Sequence, residues 1–188
     1  MIKWILGSGS PRRKELLEGI GITFTIRTKD TEEVYPAELA VEDVPAYLAQ
    51  LKANALLPDL VENEKVICAD TVVILNGEII GKPIDRNDAI NMLTRLSGQT
   101  HTVITGVFAG DQNKHVIASD TTFVTFGELT HEEICSYIDH YRPFDKAGSY
   151  GVQEWLGYVA VERLEGSYTN VMGLPTHLVY RIIQDFEL

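Results

Sequence analysis

Residues 66–75 read Val-Ile-Cys-Ala-Asp-Thr-Val-Val-Ile-Leu, and this stretch decides the fold class. It is almost entirely apolar and rich in β-branched side chains, which predicts a strand buried on both faces of a sheet. The Asn76-Gly77 pair that follows predicts a hairpin turn into a short strand over 78–81.

Strands and helices alternate on either side of this stretch. Further strands are predicted over 3–6, 22–27, 101–109, 115–126 and 155–164. Helices are predicted after Ser10, between Val44 and Pro58, from Asp85 to about Leu96, after Thr130 and from Pro175. The alternation contains no repeat and no flexible linker, so the sequence predicts a single α/β unit over 1–188.

Asp70 lies in the middle of the apolar stretch. A carboxylate flanked by Cys68, Ala69, Val72 and Val73 should be largely desolvated, and an unpaired buried charge is very costly. It needs a metal ion, a lysine or a hydrogen-bonded water as a partner, and the first and third of these belong to hydrolytic sites. The alternative is a structural aspartate, salt-bridged inside the sheet or placed at the open end of the strand.

The first predicted strand ends in Gly7-Ser8-Gly9-Ser10, and Pro11-Arg12-Arg13 then opens a helix. Backbone N–H groups, two hydroxyls and two guanidiniums therefore surround one helix N-terminus, where anions are favoured. The segment is typical of a phosphate-binding turn, and an ordinary capped helix with exposed arginines is the alternative. It is neither a Walker A motif nor a GxGxxG fingerprint.

The composition is that of an acidic globular protein, with 45% hydrophobic and 23% charged residues. Sixteen Lys and Arg against 27 Asp and Glu give a net charge of -11, which repels nucleic acid and anionic membranes. A small anionic substrate would need a local cationic pocket or a bound metal ion. With neither a secretion signal nor a membrane-spanning segment, we expect a cytoplasmic protein.

Cysteine and histidine carry no metal or disulfide signature. Cys68 and Cys135 are far apart and lie in no CxxC or Cys/His cluster, and the five histidines form no HExxH. His101 is predicted in the sheet or at a turn. The polar, Gly-rich loop over 145–153 suits a planar ring with a polar edge, and an ordinary surface loop is the alternative.

Six blocks follow one another along the chain: 8–17, 69–73, 81–83, 97–101, 105–107 and 145–153. Taken together, they resemble the Maf family of nucleoside triphosphate pyrophosphatases over nearly the whole chain. The resemblance implies one Maf-type domain over 1–188. Its expected fold is α/β, a mixed twisted sheet with flanking helices and two lobes around a central cleft, similar to ITPases.

The resemblance also implies cleavage of a nucleoside triphosphate to its monophosphate and pyrophosphate, with Mg²⁺ or Mn²⁺ as cofactor. Carried over by position, Asp70 is the catalytic residue, and Glu33 and Asp70 are the metal ligands. Arg13, Lys52 and Lys82 are then the phosphate-binding residues, and Ser8 is a further substrate-binding residue. Without the resemblance, we would expect Glu33, Lys52 and Lys82 to be ordinary solvent-exposed side chains.

Thr71 and the loop from Tyr150 to Gln153 resemble the branch that cleaves dTTP and UTP, in which Arg12, Thr71 and Gln153 are linked to base choice. An amide such as that of Gln153 pairs with the acceptor and N–H edge of a pyrimidine. Two positions depart from the family pattern. Arg142 stands where Glu usually precedes Pro143, and Glu154 stands where Gly usually follows Gln153.

The resulting expectation is a house-cleaning enzyme for dTTP, UTP and modified pyrimidine nucleotides, linked to arrest of septum formation. The alternative is a nucleotide-binding module that regulates septum formation without turnover. Intact Asp70, Glu33 and lysines favour turnover, because a pure binder gains nothing from a water-activating carboxylate beside repelled phosphates. A homodimer is a family expectation, and the sequence identifies no division partner.

Overall fold

The computed structural model describes residues 2–187, in which strands and helices alternate. The strands are β1 (Lys3–Leu6), β2 (Phe24–Ile26), β3 (Glu64–Leu75), β4 (Glu78–Ile80), β5 (Thr100–Gly110), β6 (His115–Phe126) and β7 (Val161–Glu165). The α-helices are α1 (Pro11–Gly19), α2 (Val44–Leu56), α3 (Arg86–Leu96), α4 (His131–Tyr141), α5 (Trp155–Val159), α6 (Tyr168–Val171) and α7 (Thr176–Glu187). Short 3₁₀ turns cover Leu57–Asp59 and Ala147–Ser149.

The strands form one mixed sheet in the order β2-β1-β3-β5-β6-β7, with β4 paired to β3. Strand β1 is parallel to both neighbours, so that Ile5 lies opposite Thr25 on one side and Val66 on the other. The β3–β4 and β6–β7 pairs are antiparallel. The α/β class and the mixed sheet are therefore confirmed.

The described chain divides into two compact units. Unit 1 comprises residues 2–71, 105–120 and 173–187, and unit 2 comprises residues 72–104 and 121–172. Strands β3, β5 and β6 each contribute residues to both units. Each unit is therefore assembled from segments that are separate in the sequence.

In unit 1, strands β1 and β3 are buried on both faces, as residues 66–75 predict. One cluster joins alternate strand residues to helices α1 and α7; it includes Trp4, Leu6, Ile67, Ala69, Leu17 and Ile183. A second cluster joins the intervening strand residues to helix α2; it includes Ile5, Val66, Cys68, Ala49 and Ala53. Because side chains alternate along a strand, even-numbered residues in this part of β3 face α2.

Helix α2 approaches strand β5 closely at one point. A Cβ atom placed on Gly106 would overlap the backbone of Pro45 and Ala46, so this position accepts only glycine. The contact places the first turn of α2, where Pro45 was predicted, directly against the sheet.

Unit 2 has its own core, in which α3 and α4 pack against strand residues. The largest contributors include Leu93, Leu96, Val103, Phe126, Ile134 and Ile138. Asp85 caps α3 by accepting a hydrogen bond from Asp88 N at 2.8 Å, as predicted. The predicted capping box of Thr130 and Glu133 opens α4.

The strand predicted over 155–164 is wrong. Residues Trp155–Val159 form helix α5, and strand β7 covers only Val161–Glu165. The buried residues Leu156 and Ala160 are four positions apart, whereas Tyr158 between them is exposed, which is a helical pattern. The apolar run is too short for its spacing to distinguish a helix from a strand, which explains the wrong prediction.

Two smaller differences concern short elements. The strand predicted over 22–27 is limited to Phe24–Ile26, and helix α6, which Ser167 caps, was not predicted. In the part of the chain that the structure describes, no helix is both long and apolar enough to cross a membrane.

Candidate active site

The turn between β1 and α1 is organised by its two serines. Ser10 is the N-cap of α1 and its hydroxyl accepts a hydrogen bond from Arg13 N at 3.5 Å. The Ser8 hydroxyl accepts a hydrogen bond from Ser10 N at 3.2 Å and is nearly buried. Pro11 occupies the first helical turn, so the predicted strand, turn and helix are all present.

The Arg13 guanidinium is anchored across unit 1. Its Nε donates to Gly173 O at 2.8 Å, one terminal nitrogen donates to Ser8 Oγ at 3.4 Å, and the other donates to Thr71 Oγ1 at 3.2 Å. Thr71 Oγ1 also lies 2.9 Å from Thr105 Oγ1. These hydrogen-bond acceptors are all uncharged. Among the described residues, the guanidinium is therefore held by a backbone carbonyl and two hydroxyls rather than by a carboxylate.

Burial lowers the pKa of Arg13, an effect that the nearby Asp70 charge opposes and the neighbouring Arg12 charge reinforces. A guanidinium remains charged at neutral pH even after such a shift. A half-buried cation whose hydrogen bonds go to uncharged acceptors is well suited to hold an incoming anion.

Asp70 is buried, with 8% of its surface exposed, and its partner is a lysine. The ammonium of Lys52 contacts Asp70 Oδ1 and lies 2.8 Å from Glu33 Oε1, so two carboxylates share one cation. The alternation of side chains along β3 explains this pairing. Asp70 lies on the same face of the strand as Val66 and Cys68. That face packs on helix α2, which carries Lys52.

This ion pair does not isolate Asp70 from the glycine-serine turn. Gly7 N donates to Ile67 O at 2.8 Å, which continues the β1–β3 pairing to the start of the turn. Thr71, the residue after Asp70, contacts Arg13, and Arg13 contacts Ser8. Unit 1 therefore holds two polar groups, Asp70 with Lys52 and Glu33 and Arg13 with Ser8 and Thr71, and the Asp70 charge acts on the Arg13 guanidinium.

Glu33 and Asp70 fit a hard divalent cation. Each places a carboxylate oxygen against the same ammonium nitrogen, so both converge on one position for a positive charge. Mg²⁺ is usually bound by one or two carboxylates together with substrate phosphates and water. Within residues 2–187 no group of three or more His, Cys, Asp or Glu side chains is arranged to hold a metal.

Neither buried Cys68 nor buried His101 provides a competing nucleophile or base at neutral pH. Burial raises the pKa of the Cys68 thiol to about 12, which keeps it protonated. Burial lowers the pKa of His101 to about 4, which keeps it neutral. His101 Nε2 lies 2.7 Å from the Tyr150 hydroxyl inside unit 2, in strand β5 as expected for a sheet residue.

The loop over 145–154 in unit 2 is tightly constrained. Gly148 and Ser149 both have positive φ, at 70° and 60°, and Gly148 N donates to Gly81 O at 3.0 Å. A Cβ atom on Gly148 would lie 3.0 Å from Val73, so the glycine is needed for the close approach as well as for its φ. Positive φ at a non-glycine residue costs energy and is concentrated at functional sites.

Gln153 is half-buried in this loop, and its Oε1 atom is buried without a hydrogen-bond partner among the described residues. Lys82 is exposed and follows Gly81. Both residues belong to unit 2, whereas Ser8, Arg12, Arg13, Glu33, Lys52, Asp70 and Thr71 belong to unit 1.

Sequence reasoning missed the residues that hold the site residues in place. Gly173 and Thr105 position Arg13 and Thr71, and the signal for Thr105 was its presence in the block at 105–107. Gly173 has a φ of 107° and precedes Leu174-Pro175, where the sequence predicts only the start of a helix at Pro175.

Comparisons with known proteins identify the family of the chain. A family described as Maf-like protein matches residues 3–186. The chain is 51% identical over 178 residues to a dTTP/UTP pyrophosphatase of Flavobacterium psychrophilum, covering 95% of this chain and 91% of the relative. It is also 51% identical over 187 residues to a Porphyromonas gingivalis protein of the same name, covering 98% and 94%.

The solved structure of the Staphylococcus aureus Ham1 protein has a similar fold, with a TM-score of 0.56 over 99% of this chain and 100% of that one. At 14% sequence identity this likeness concerns the fold alone. The family match over residues 3–186, together with relatives at 51% identity along nearly the whole length, shows that the chain belongs to the Maf family.

Proposed function

We propose that this chain is a nucleoside triphosphate pyrophosphatase that hydrolyses dTTP and UTP to the monophosphate and pyrophosphate with the help of a divalent metal ion. The observation that carries the proposal is Asp70, a buried carboxylate that shares the Lys52 ammonium with Glu33 beside the anchored cation Arg13. The two relatives at 51% identity, each named dTTP/UTP pyrophosphatase, support the same enzyme class.

The triphosphate binds to the cationic side chains. Arg13 and the serine turn at the N-terminus of α1 offer a guanidinium, the Ser8 hydroxyl and backbone N–H groups, all of which favour phosphate oxygens. Lys52 and Lys82 supply two further charges. Because Asp70 and Glu33 offset the Lys52 charge, a divalent cation held by these carboxylates would supply the positive charge that a polyanion needs in a chain of net charge -11.

In the hydrolytic step, Asp70 accepts a proton from water as the water oxygen forms a bond to the α-phosphorus. The bond from that phosphorus to the bridging oxygen breaks, and pyrophosphate leaves with its charge stabilised by Arg13, Lys52 and Lys82. For Asp70 to act as the base, the Lys52 ammonium must turn from the carboxylate to the phosphates. Bound by Glu33 and Asp70, Mg²⁺ or Mn²⁺ supplies further neutralisation of phosphate charge.

In this proposal, the enzyme selects the nucleotide base through Arg12, Thr71 and Gln153. Two observations support this role for Gln153: its buried Oε1 has no hydrogen-bond partner within residues 2–187, and its carboxamide matches a pyrimidine edge. Thr71 contacts Arg13 and Thr105, so it links base choice to the position of the phosphate-binding cation.

We also propose four wider properties that membership of the family suggests. These are a single Maf-type domain over 1–188, a homodimer in the cytoplasm, removal of modified pyrimidine nucleotides, and a link to septum formation. The interleaving of the two units along the chain supports the single domain, because neither unit is a continuous segment.

The test is a panel of pyrimidine and purine triphosphates assayed for pyrophosphate release with MgCl₂ and with EDTA. We expect equal amounts of monophosphate and pyrophosphate from dTTP and UTP, in MgCl₂ only. Release of orthophosphate would contradict cleavage at the α-phosphorus. Tight binding of dTTP without any hydrolysis would instead support a regulatory nucleotide-binding module.

A further inference from the structure

The loop that carries Gln153 is held by a buried polar cluster, which we call the Tyr137 cluster: Tyr137, Lys146, Gly151 and Glu154. The Tyr137 hydroxyl donates to Glu154 Oε2 and accepts a hydrogen bond from Gly151 N at 3.0 Å. Lys146 Nζ lies 3.0 Å from Glu154 Oε1, and the Lys146 side chain is only 9% exposed. The cluster therefore ties the loop to helix α4 within unit 2.

The cluster buries the charge of Glu154, although this side chain could have capped a helix at the surface. Glu154 is the N-cap residue of α5, but its side chain makes no capping hydrogen bond and turns inward instead. Gly151 lies so close to it that a Cβ atom there would be 2.8 Å from Glu154 Cδ. Because a buried ion pair often contributes little net stability, its orienting effect on the loop is the more important consequence.

The Tyr137 hydroxyl is able to act as the donor throughout the neutral pH range. Burial, together with the hydrogen bond to Glu154, raises the pKa of Tyr137, so the phenol remains protonated. Its oxygen then donates to the carboxylate and accepts from the backbone at the same time, which fixes both groups relative to one ring.

Gln153 lies between the two loop positions that this ring fixes, Gly151 before it and Glu154 after it. The residues on both sides of Gln153 are therefore held by Tyr137, and the Gln153 Oε1 atom has no partner among the described residues. We infer that Tyr137, Lys146 and Glu154 are positioning residues that set the Gln153 carboxamide and thereby the preference for a pyrimidine base. This inference rests on the proposed function, in which Gln153 reads the base.

The test compares kcat/KM for dTTP with kcat/KM for dGTP in Tyr137→Phe, which keeps the ring and removes the hydroxyl. A displaced carboxamide loses discrimination, so we expect the dTTP/dGTP ratio to fall about tenfold. Glu154→Gln, which keeps the shape and removes the charge, should lower the ratio in the same direction. Asp139→Asn is the matched control, because Asp139 lies on helix α4 like Tyr137 but forms an exposed ion pair with Arg86 of α3. This variant should leave the dTTP/dGTP ratio unchanged.

Gln153→Ala separates the possible outcomes. If the cluster acts through Gln153, then Tyr137→Phe should produce no further fall in the ratio when Gln153 is already alanine. Equal losses for dTTP and dGTP, or an additive fall in the double variant, would overturn the inference while leaving the proposed function standing. An unchanged ratio in Gln153→Ala itself would overturn both the inference and the role of Gln153 in base choice, while pyrophosphate release from dTTP tests the hydrolytic activity separately. A melting curve for each variant confirms that the protein is folded.

Discussion

Replacing Lys52 by methionine should destabilise the protein and make its stability depend on a divalent cation. The Asp70 side chain is 11% exposed and that of Lys52 is 18% exposed, so the substitution leaves a carboxylate largely buried without its cation. Breaking a fully buried pair costs roughly 3–5 kcal/mol, and the residual exposure here reduces the expected loss to about 2–3 kcal/mol. For a chain of this size, that lowers Tm by about 4–12 °C.

Mn²⁺ should recover much of this loss in Lys52→Met. A cation held by Glu33 and Asp70 replaces the missing ammonium, and at a hundredfold excess over Kd it returns about 2.7 kcal/mol. In the unaltered protein Mn²⁺ has to displace Lys52, so the gain should be smaller. The assay is thermal unfolding of nucleotide-free protein with and without MnCl₂.

Lys65→Met is the matched control for this experiment. Lys65 pairs with Asp111 in unit 1, its side chain is 13% exposed, and it contacts neither Glu33 nor Asp70. The control should lose stability without any special recovery in Mn²⁺. If Mn²⁺ raises the Tm of Lys52→Met by no more than it raises that of Lys65→Met, the two carboxylates do not form a cation site.

Three further substitutions test separate parts of the structure. Thr71→Val removes a hydrogen-bond acceptor of Arg13, so kcat/KM for dTTP should fall about tenfold; a change below about twofold would contradict the anchoring. Gln153→Ala should reduce the dTTP preference over dGTP by about 1–3 kcal/mol, measured as a ratio of kcat/KM values. His101→Phe should reduce the decrease in the free energy of unfolding at acid pH, measured by urea unfolding. The pKa of His101 is about 4 when folded and about 6.5 when unfolded, so about 3 kcal/mol is lost as pH falls between these values. A variant that keeps the full slope would show that another group titrates.

The sequence was most informative where one physical requirement dominates. Residues 66–75 contain no polar face, and the structure buries this part of β3 on both sides as predicted. The Asn76-Gly77 turn, the Asp85 cap and the Thr130 capping box depend on neighbouring residues only, and all three are present. Turns and helix caps of this kind can be predicted from a few adjacent residues without knowing the rest of the fold.

The sequence was less informative where distant segments meet. The cost of burying Asp70 predicts that it has a partner, but the choice of Lys52 depends on which helix covers that face of β3. Gly173 is 160 positions from Arg13, and nothing in its local sequence indicates that its carbonyl accepts from the guanidinium. The error over 155–164 has a different cause, since a single helical turn and a strand produce similar short apolar runs.

The measurement that tests the central claim most directly is the turnover of dTTP by Asp70→Asn at saturating Mg²⁺ and nucleotide. Asparagine keeps the size of the side chain but accepts no proton, so kcat should fall by about 10²–10⁴-fold while the protein still binds dTTP. A kcat close to that of the unaltered enzyme would contradict the account, because the buried carboxylate would then have no part in activating water.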